Sequence, residues 1–160
     1  MHTLGIDPGL TGALARLDDD NNVELVDMPV VKERTGSSVC AHQLADHVVG
    51  YLVAAGAGNL HAYIESVSGR PGQGVSSTCK TCRGAGVIEG VLAALDVPYT
   101  WVAPGTWKRA SGLLGAEKDV SRARAMQWYP QTSDQLARKK DHGRAEALLI
   151  AAYGLKTSKG

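Results

Sequence analysis

The sequence predicts an α/β domain: a mixed five-stranded sheet with helices on both faces. Three observations carry that expectation. Three short apolar runs follow one another closely at the start of the chain, as in a meander. After them, helical and strand-like patterns alternate, as in βα units. The chain has 160 residues, enough for one well-buried core and too few for two ordinary ones. A single domain is expected over residues 1–154, with 155–160 as a short polar tail.

The elements follow in order. "HTLGIDPG" and "TGALARLD" read as the first two strands, joined by the Pro-Gly turn, and "DDDNN" is a polar hairpin tip. "VELVDMPVV" reads as the third strand and "KERTGSS" as a loop. Val39, Leu44, Val48, Tyr51 and Leu52 recur at helical spacing between residues 39 and 54, with Ser38 as the expected N-cap. "LHAYIESV" is a fourth strand and "SGRPGQGVSST" a loop. A helix is expected through "CKTCRGAGVIEGVLAALD", then a fifth strand at "YTWVAP". "GTWKRASGLLGAEKD" reads as a connecting segment and "VSRARAMQWY" as a short helix stopped by Pro130. The last helix is expected through "ARKKDHGRAEALLIAAYG".

Composition excludes several classes. No run of eighteen apolar residues and no charged-then-apolar leader is present, so a soluble, cytoplasmic protein with no membrane partner is expected. Cys40, Cys79 and Cys82 make no disulfide framework. "CKTC" is a weak zinc signal, because two further ligands are missing. The formal net charge is only +1, yet residues 103–144 hold Lys108, Arg109, Lys118, Arg122, Arg124, Arg138, Lys139, Lys140 and Arg144 against four acids. A near-neutral total can hide a basic face suited to phosphates; a merely solvated helix surface is the plainer reading.

Three acidic places interrupt apolar surroundings. Asp7 ends the first strand, Glu65 ends the fourth, and "DHGRAE" opens the apolar run of the last helix. A carboxylate at the tip of a buried strand is costly unless a cationic side chain or a metal meets it. His142 and Glu146 are four apart and share a helix side, with Asp141 one residue back. Brought together, these groups make an oxygen-rich pocket suited to Mg²⁺ or Mn²⁺ rather than zinc. Separate structural roles, such as a cap, a hairpin acid or an exposed helix carboxylate, explain each acid singly.

The residues carry a resemblance. "GIDPGLTG", "YIESV", "CRGAGVIEGVLAAL", "PYTWVAPGTWKR", "LLGAEKD" and "DHGRAEALLIA" resemble, in order and over nearly the whole chain, segments of the RuvC family of Holliday junction resolvases, nearer its phage and prophage members. The resemblance implies an RNase H-like fold and a homodimeric, metal-dependent endonuclease. Such an enzyme resolves four-way junctions by paired symmetric nicks and leaves 5′-phosphate and 3′-hydroxyl ends. A bacterial or phage-infected cytoplasm is its expected setting. Asp7, Glu65 and Glu146 match metal ligands. Gly143 stands where some members carry an acid or histidine, so Asp141 or His142 supplies the fourth group, with Asp141 taken as the ligand and His142 beside the metals. Two Mg²⁺ or Mn²⁺ ions are implied, about 3.5–4 Å apart.

Lys118 matches a basic residue at the scissile phosphate. Arg70, Lys80, Arg83, Lys108, Arg109, Arg122, Lys139, Lys140 and Arg144 complete the expected DNA contacts. The loop after Glu65 lacks the aromatic residue of cellular members, and Arg70 is the group there able to stack on a base. Rival readings are a broader fork and flap nuclease, an RNA-processing nuclease of the RNase H-like group, and a junction-binding protein that does not cut. "GIDPGLTG" also resembles the phosphate loop of actin-like kinases, but 160 residues cannot supply their two domains.

Overall fold

The first two apolar runs form an antiparallel pair, β1 (His2–Asp7) and β2 (Ala13–Asp18), in register Ile6 to Leu14 and Asp7 to Ala13. In this computed structural model residues 1–56, 58–68, 72, 74–116 and 118–159 are described, Lys118 by its backbone alone. β3 (Val23–Asp27) pairs antiparallel with β2. On the other side of β1 lies β6 (Leu60–Glu65), parallel and aligned Ile6 to Ile64, and then β7 (Tyr99–Val102), parallel and aligned Glu65 to Val102. The sheet order is β3-β2-β1-β6-β7, a mixed five-stranded sheet as expected.

Strand alternation divides the core. Leu4, Ile6, Leu14, Ala62 and Ile64 face α1 (Ala41–Ala55) and α2 (Val75–Ala94), where they pack with Leu44, Val48, Ile88 and Leu92. Ala13, Ala15, Leu17 and Tyr63 face α5 (His142–Thr157), behind which lie Trp107 of α3 (Pro104–Ala110) and Ala125 of α4 (Lys118–Trp128). Sheet on one side and helices on the other bury α5 almost all round. Its contact with β1 is backbone to backbone. A Cβ added at Gly5 would overlap the Ala147 carbonyl oxygen and the Ala151 nitrogen, and one at Gly143 would overlap the Thr11 carbonyl oxygen. Thr3 Oγ1 donates to the Ala151 carbonyl at 3.1 Å, which fixes the helix along the strand.

Several local expectations change. The third strand stops at Asp27, because Pro29 has no N–H to extend the ladder. The chain then leaves the sheet and pairs with itself as β4 (Val30–Glu33) and β5 (Gly36–Val39), so "KERTGSS" is the heart of a hairpin rather than a loop. Cys40, not Ser38, occupies the N-cap position of α1. α2 begins four residues before Cys79, and "PGTWKRA" is helical with Pro104 in its first turn, where a missing N–H costs nothing. "PQTSDQL" and "KKD" are 3-10 turns, which delays α5 to His142. α5 continues to Thr157 with Leu155 in the core, past the boundary set at 154. Among the described residues no helix is long and apolar enough to cross a membrane.

Candidate active site

β1 and β6 run parallel side by side, and each ends on an acid. Asp7 shares the strand face of Thr3 and Gly5, and Glu65 shares that of Tyr63, so both carboxylates project on the α5 side of the sheet. They line one cleft of about 540 Å³ with Pro8, Gly9, Ser66 and Thr81. The turn after β1 holds Asp7 in place: the Gly9 N–H donates to Asp7 Oδ1 at 3.3 Å, and the Gly12 N–H donates to the Gly9 carbonyl at 2.9 Å. The carboxyl ends of parallel strands are where open α/β sheets place their ligands.

Glu65 is oriented by Trp107, a role that the sequence alone does not show. Trp107 is fully buried, and its indole Nε1–H donates to Glu65 Oε2 at 2.7 Å. A buried indole needs an acceptor, and that requirement is the signal by which the pair could be found. Trp107→Phe keeps an aromatic ring but removes the donor and leaves a small cavity. The expected result is a lowered melting temperature and, well below it, cleavage slowed by about 10–100-fold, the usual cost of losing an orienting partner of a metal ligand. Melting curves and initial rates on one preparation check it.

α5 brings Glu146 to the same end of the sheet. Gly143 lies on Thr11 and Gly12, and Ala147 on Gly5, so half-buried Glu146 sits between those contacts along the helix. His142, one turn earlier, lines a neighbouring groove with Asp119, Lys139 and Lys140. Among the described residues no three His, Cys, Asp or Glu side chains are gathered into a ready-made ion cage. The donor set at the cleft is nevertheless of hard oxygens, the chemistry that Mg²⁺ and Mn²⁺ prefer.

Asp141 does not join this set. It is 3% exposed, and Arg138 holds both its oxygens: the backbone N–H at 2.9 Å and Nε at 3.1 Å donate to Oδ2, and Nη2 at 2.9 Å donates to Oδ1. Next to it, Arg144 grips Asp27 of β3 at 2.6 and 2.7 Å. The expected metal ligand is instead a clasp that ties the start of α5 to the preceding turn. Hydrogen bonds from Arg138 hold the Asp141 carboxyl below the usual carboxylate range, and those from Arg144 do the same for Asp27. A carboxyl with a lowered folded pKa stabilises the fold above its unfolded pKa of about 3.9, and that stability is lost as pH falls through the folded value. Asp141→Asn is expected to lower the melting temperature at pH 7 by about 3–6 °C. The gap from wild type should close below about pH 4. Thermal melts at a series of pH values measure this.

The expected DNA contacts divide. Arg122 donates to the carbonyls of Leu136 at 3.2 Å and Ala137 at 3.1 Å and pairs with Asp119, with its side chain 17% exposed. Arg144 is 19% exposed and engaged with Asp27. Both are structural ties rather than phosphate ligands, a correction that follows from the protein acceptors their terminal guanidinium nitrogens already engage. Lys108 lies over the Trp107 ring with Nζ 5.2 Å from its centroid, and Arg109 is exposed beside it. Lys139 and Lys140 are exposed next to His142. Lys80 and Arg83 lie on α2. Arg70 and the side chain of Lys118 lie outside the described residues. All three cysteines are free, with Cys79 and Cys82 exposed on α2.

Two adjacent parallel strands ending in acids, a meander beyond them and a helix laid across the first strand make up an RNase H-like fold, as in RuvC. Among solved structures the chain is similar to RuvC of Thermus thermophilus, with TM-score 0.61 at 17% identity over 99% of this chain and 97% of that one. The same protein in complex with a Holliday junction substrate gives 0.62 at 17% identity, over 100% and 96%. The yeast mitochondrial Holliday junction resolvase Ydc2 gives 0.52 at 16% identity, over 94% and 75%. No protein-family model matches the chain. In sequence it is 32% identical over 148 residues to the chloroplastic Holliday junction resolvase MOC1 of Chlamydomonas reinhardtii, an alignment that takes in 81% of this chain. The chain has the fold of RuvC, and it spans 17% of the length of the resolvase it resembles in sequence.

Proposed function

We propose that this protein is a divalent-metal-dependent endonuclease that resolves four-way DNA junctions. The observation that carries the reading is the pair Asp7 and Glu65, facing one cleft from adjacent strand ends in a RuvC fold. The similarity to MOC1 supports junction DNA as the substrate.

Asp7, Glu65 and Glu146 are assigned to hold Mg²⁺ or Mn²⁺, with His142 as the group beside them. A divalent cation there supplies Lewis acidity, neutralising the phosphate and making hydrolytic water more acidic near neutral pH. The protein's own contribution is placement. Trp107 fixes Glu65, the Gly9 amide fixes Asp7, and α5 carries Glu146 at the same end of the sheet. Lys108, Arg109, Lys139 and Lys140 on the described surface, with Lys118 and Arg70, are assigned to hold phosphates around it. Two ions per site and a homodimer complete the proposal, since two-fold symmetry matches paired nicks in opposed strands.

The test is strand cleavage of an immobile four-way junction and a matched duplex with Mg²⁺, Mn²⁺ or EDTA. Paired nicks with 5′-phosphate ends, in the junction alone and only with metal, are the expected result. Equal cutting of forks and flaps broadens the substrate, preferred cutting of RNA redirects the reading to an RNA-processing nuclease, and tight binding without cutting under any metal removes the enzyme.

A further inference from the structure

The β4–β5 hairpin takes no part in the main sheet, yet it is held firmly against α2. Arg83 reaches Glu33 with Nη2 to Oε1 at 3.1 Å and Nη1 to Oε2 at 3.3 Å, and Gly84 admits Val39 to close contact. Between hairpin and helix lies a cavity of about 150 Å³, lined by Thr35, Ser37, Ser38, Lys80 and Arg83. Lys80 Nζ reaches across it to the turn at Gly36. Lys32 and Arg34 stand exposed on the hairpin itself. Among the described residues Lys32, Arg34 and Lys80 make no salt bridge, whereas Arg16, Arg138, Arg144 and Lys159 each pair with an acid. The local acid, Glu33, is taken up by Ser38 Oγ at 2.7 Å and by Arg83, and these hold its carboxyl below the usual range. The patch therefore offers surplus cations beside a group of hydroxyls, the chemistry of a phosphodiester site.

Its position relates it to the cleft. Thr81 lines the Asp7–Glu65 cleft, while Lys80 and Gly84 on the same helix line the hairpin cavity. A Cβ built at Gly84 lies 3.7 Å from the Pro8 carbonyl oxygen, so α2 alone separates the two. A helix is about 10–12 Å across, which is about three phosphates of one strand at 3.4 Å each.

We propose that the β4–β5 hairpin and the flank of α2 form a second, non-catalytic site for the DNA backbone, gripping a duplex arm as it leaves the cleft through Lys32, Arg34 and Lys80. This rests on the proposed function, and it adds a contact that lengthens the footprint along an arm without touching the reacting phosphate. Val30 and Val31 are exposed on the same hairpin, so a protein partner there is the competing occupant.

The experiment measures junction affinity in EDTA against salt concentration for wild type and Lys32→Ala/Arg34→Ala, on junctions with arms of about 20 base pairs whose phosphates are native or, from about the third step outward, neutral methylphosphonates. Each phosphate contact contributes about 0.9 to the slope of log K against log salt. The double variant is expected to lower that slope by about 2 on native arms and to leave it unaltered on neutralised ones. Lys32→Glu/Arg34→Glu should weaken native-arm binding further. Lys156→Gln/Lys159→Gln, which removes the same charge at the far end of α5, should leave the slope in place. Equal slopes for wild type and the hairpin variants overturn the proposal, as does an equal effect from the far-end pair. If wild type cuts junctions and the slopes are equal, the hairpin site alone falls. If wild type neither binds nor cuts branched DNA, the proposed function falls with it.

Discussion

Asp7→Asn protein should bind a four-way junction about as tightly as wild type and cut it at least about a thousandfold more slowly. The substitution keeps side-chain size and an oxygen at the position where the Gly9 N–H donates, so the turn after β1 survives. What it removes is the negative charge at the end of the central strand. A carboxylate that neutralises a divalent cation in a partly enclosed cleft contributes several kcal/mol to the transition state, and each 1.36 kcal/mol is tenfold in rate. In the proposed function, binding rests on phosphate contacts made by cations outside the cleft, and losing one acid weakens none of them. Single-turnover cleavage and gel-shift affinity on the same junction separate the two. A variant that cuts within about tenfold of wild type would remove Asp7 from the metal site, since such a loss is no more than about 1.4 kcal/mol.

Gly5→Ala is expected to cost at least about 3 kcal/mol of stability, or about 6–12 °C in melting temperature. The one added methyl would overlap the carbonyl of Ala147 and the amide of Ala151. Both are backbone atoms of a helix, so no rotamer change can relieve the contact, and α5 must lift from β1 or slide along it. Either movement also breaks the Thr3–Ala151 hydrogen bond and carries Glu146 away from Asp7. Activity should therefore fall even at temperatures where the variant stays folded. Denaturant unfolding followed by tryptophan emission, with cleavage rates taken well below the midpoint, checks both parts. An unchanged midpoint would mean that the helix packs on the strand more loosely than the backbone contact implies.

The legible parts of the site share one property: their signal is local. Asp7 and Glu65 stand out because each breaks an apolar strand at its last position, and period-two alternation then assigns them a face. The five-stranded sheet was readable for the same reason. Asp141 misleads because a carboxylate's partner is not written in its own neighbourhood pattern. Arg138 and Asp141 are three residues apart, but the turn that points them at each other is a 3-10 segment with no apolar period. Arg144 and Arg122 look like surface cations until Asp27 and the Leu136 carbonyl, distant in sequence, come to meet them. The β4–β5 hairpin is short and mostly polar, so it lacks the buried face that makes a strand visible. The bond from Trp107 to Glu65 depends on how α3 docks, which no local pattern records.

The contact between β1 and α5 also sets an order of events. Thr3 and Ala151 are 148 residues apart, and β1 has its second face covered only when α5 is present. During synthesis the first strand must wait, with Gly5 and Thr3 uncovered, until almost all of these residues have emerged. Local pairing of β1 with β2 can form early, but joining the first strand to the last helix closes the longest loop in the domain and should come late. An incomplete chain thus has strands and no working cleft. A cleft assembled in this sequence cannot work before the fold around it is finished.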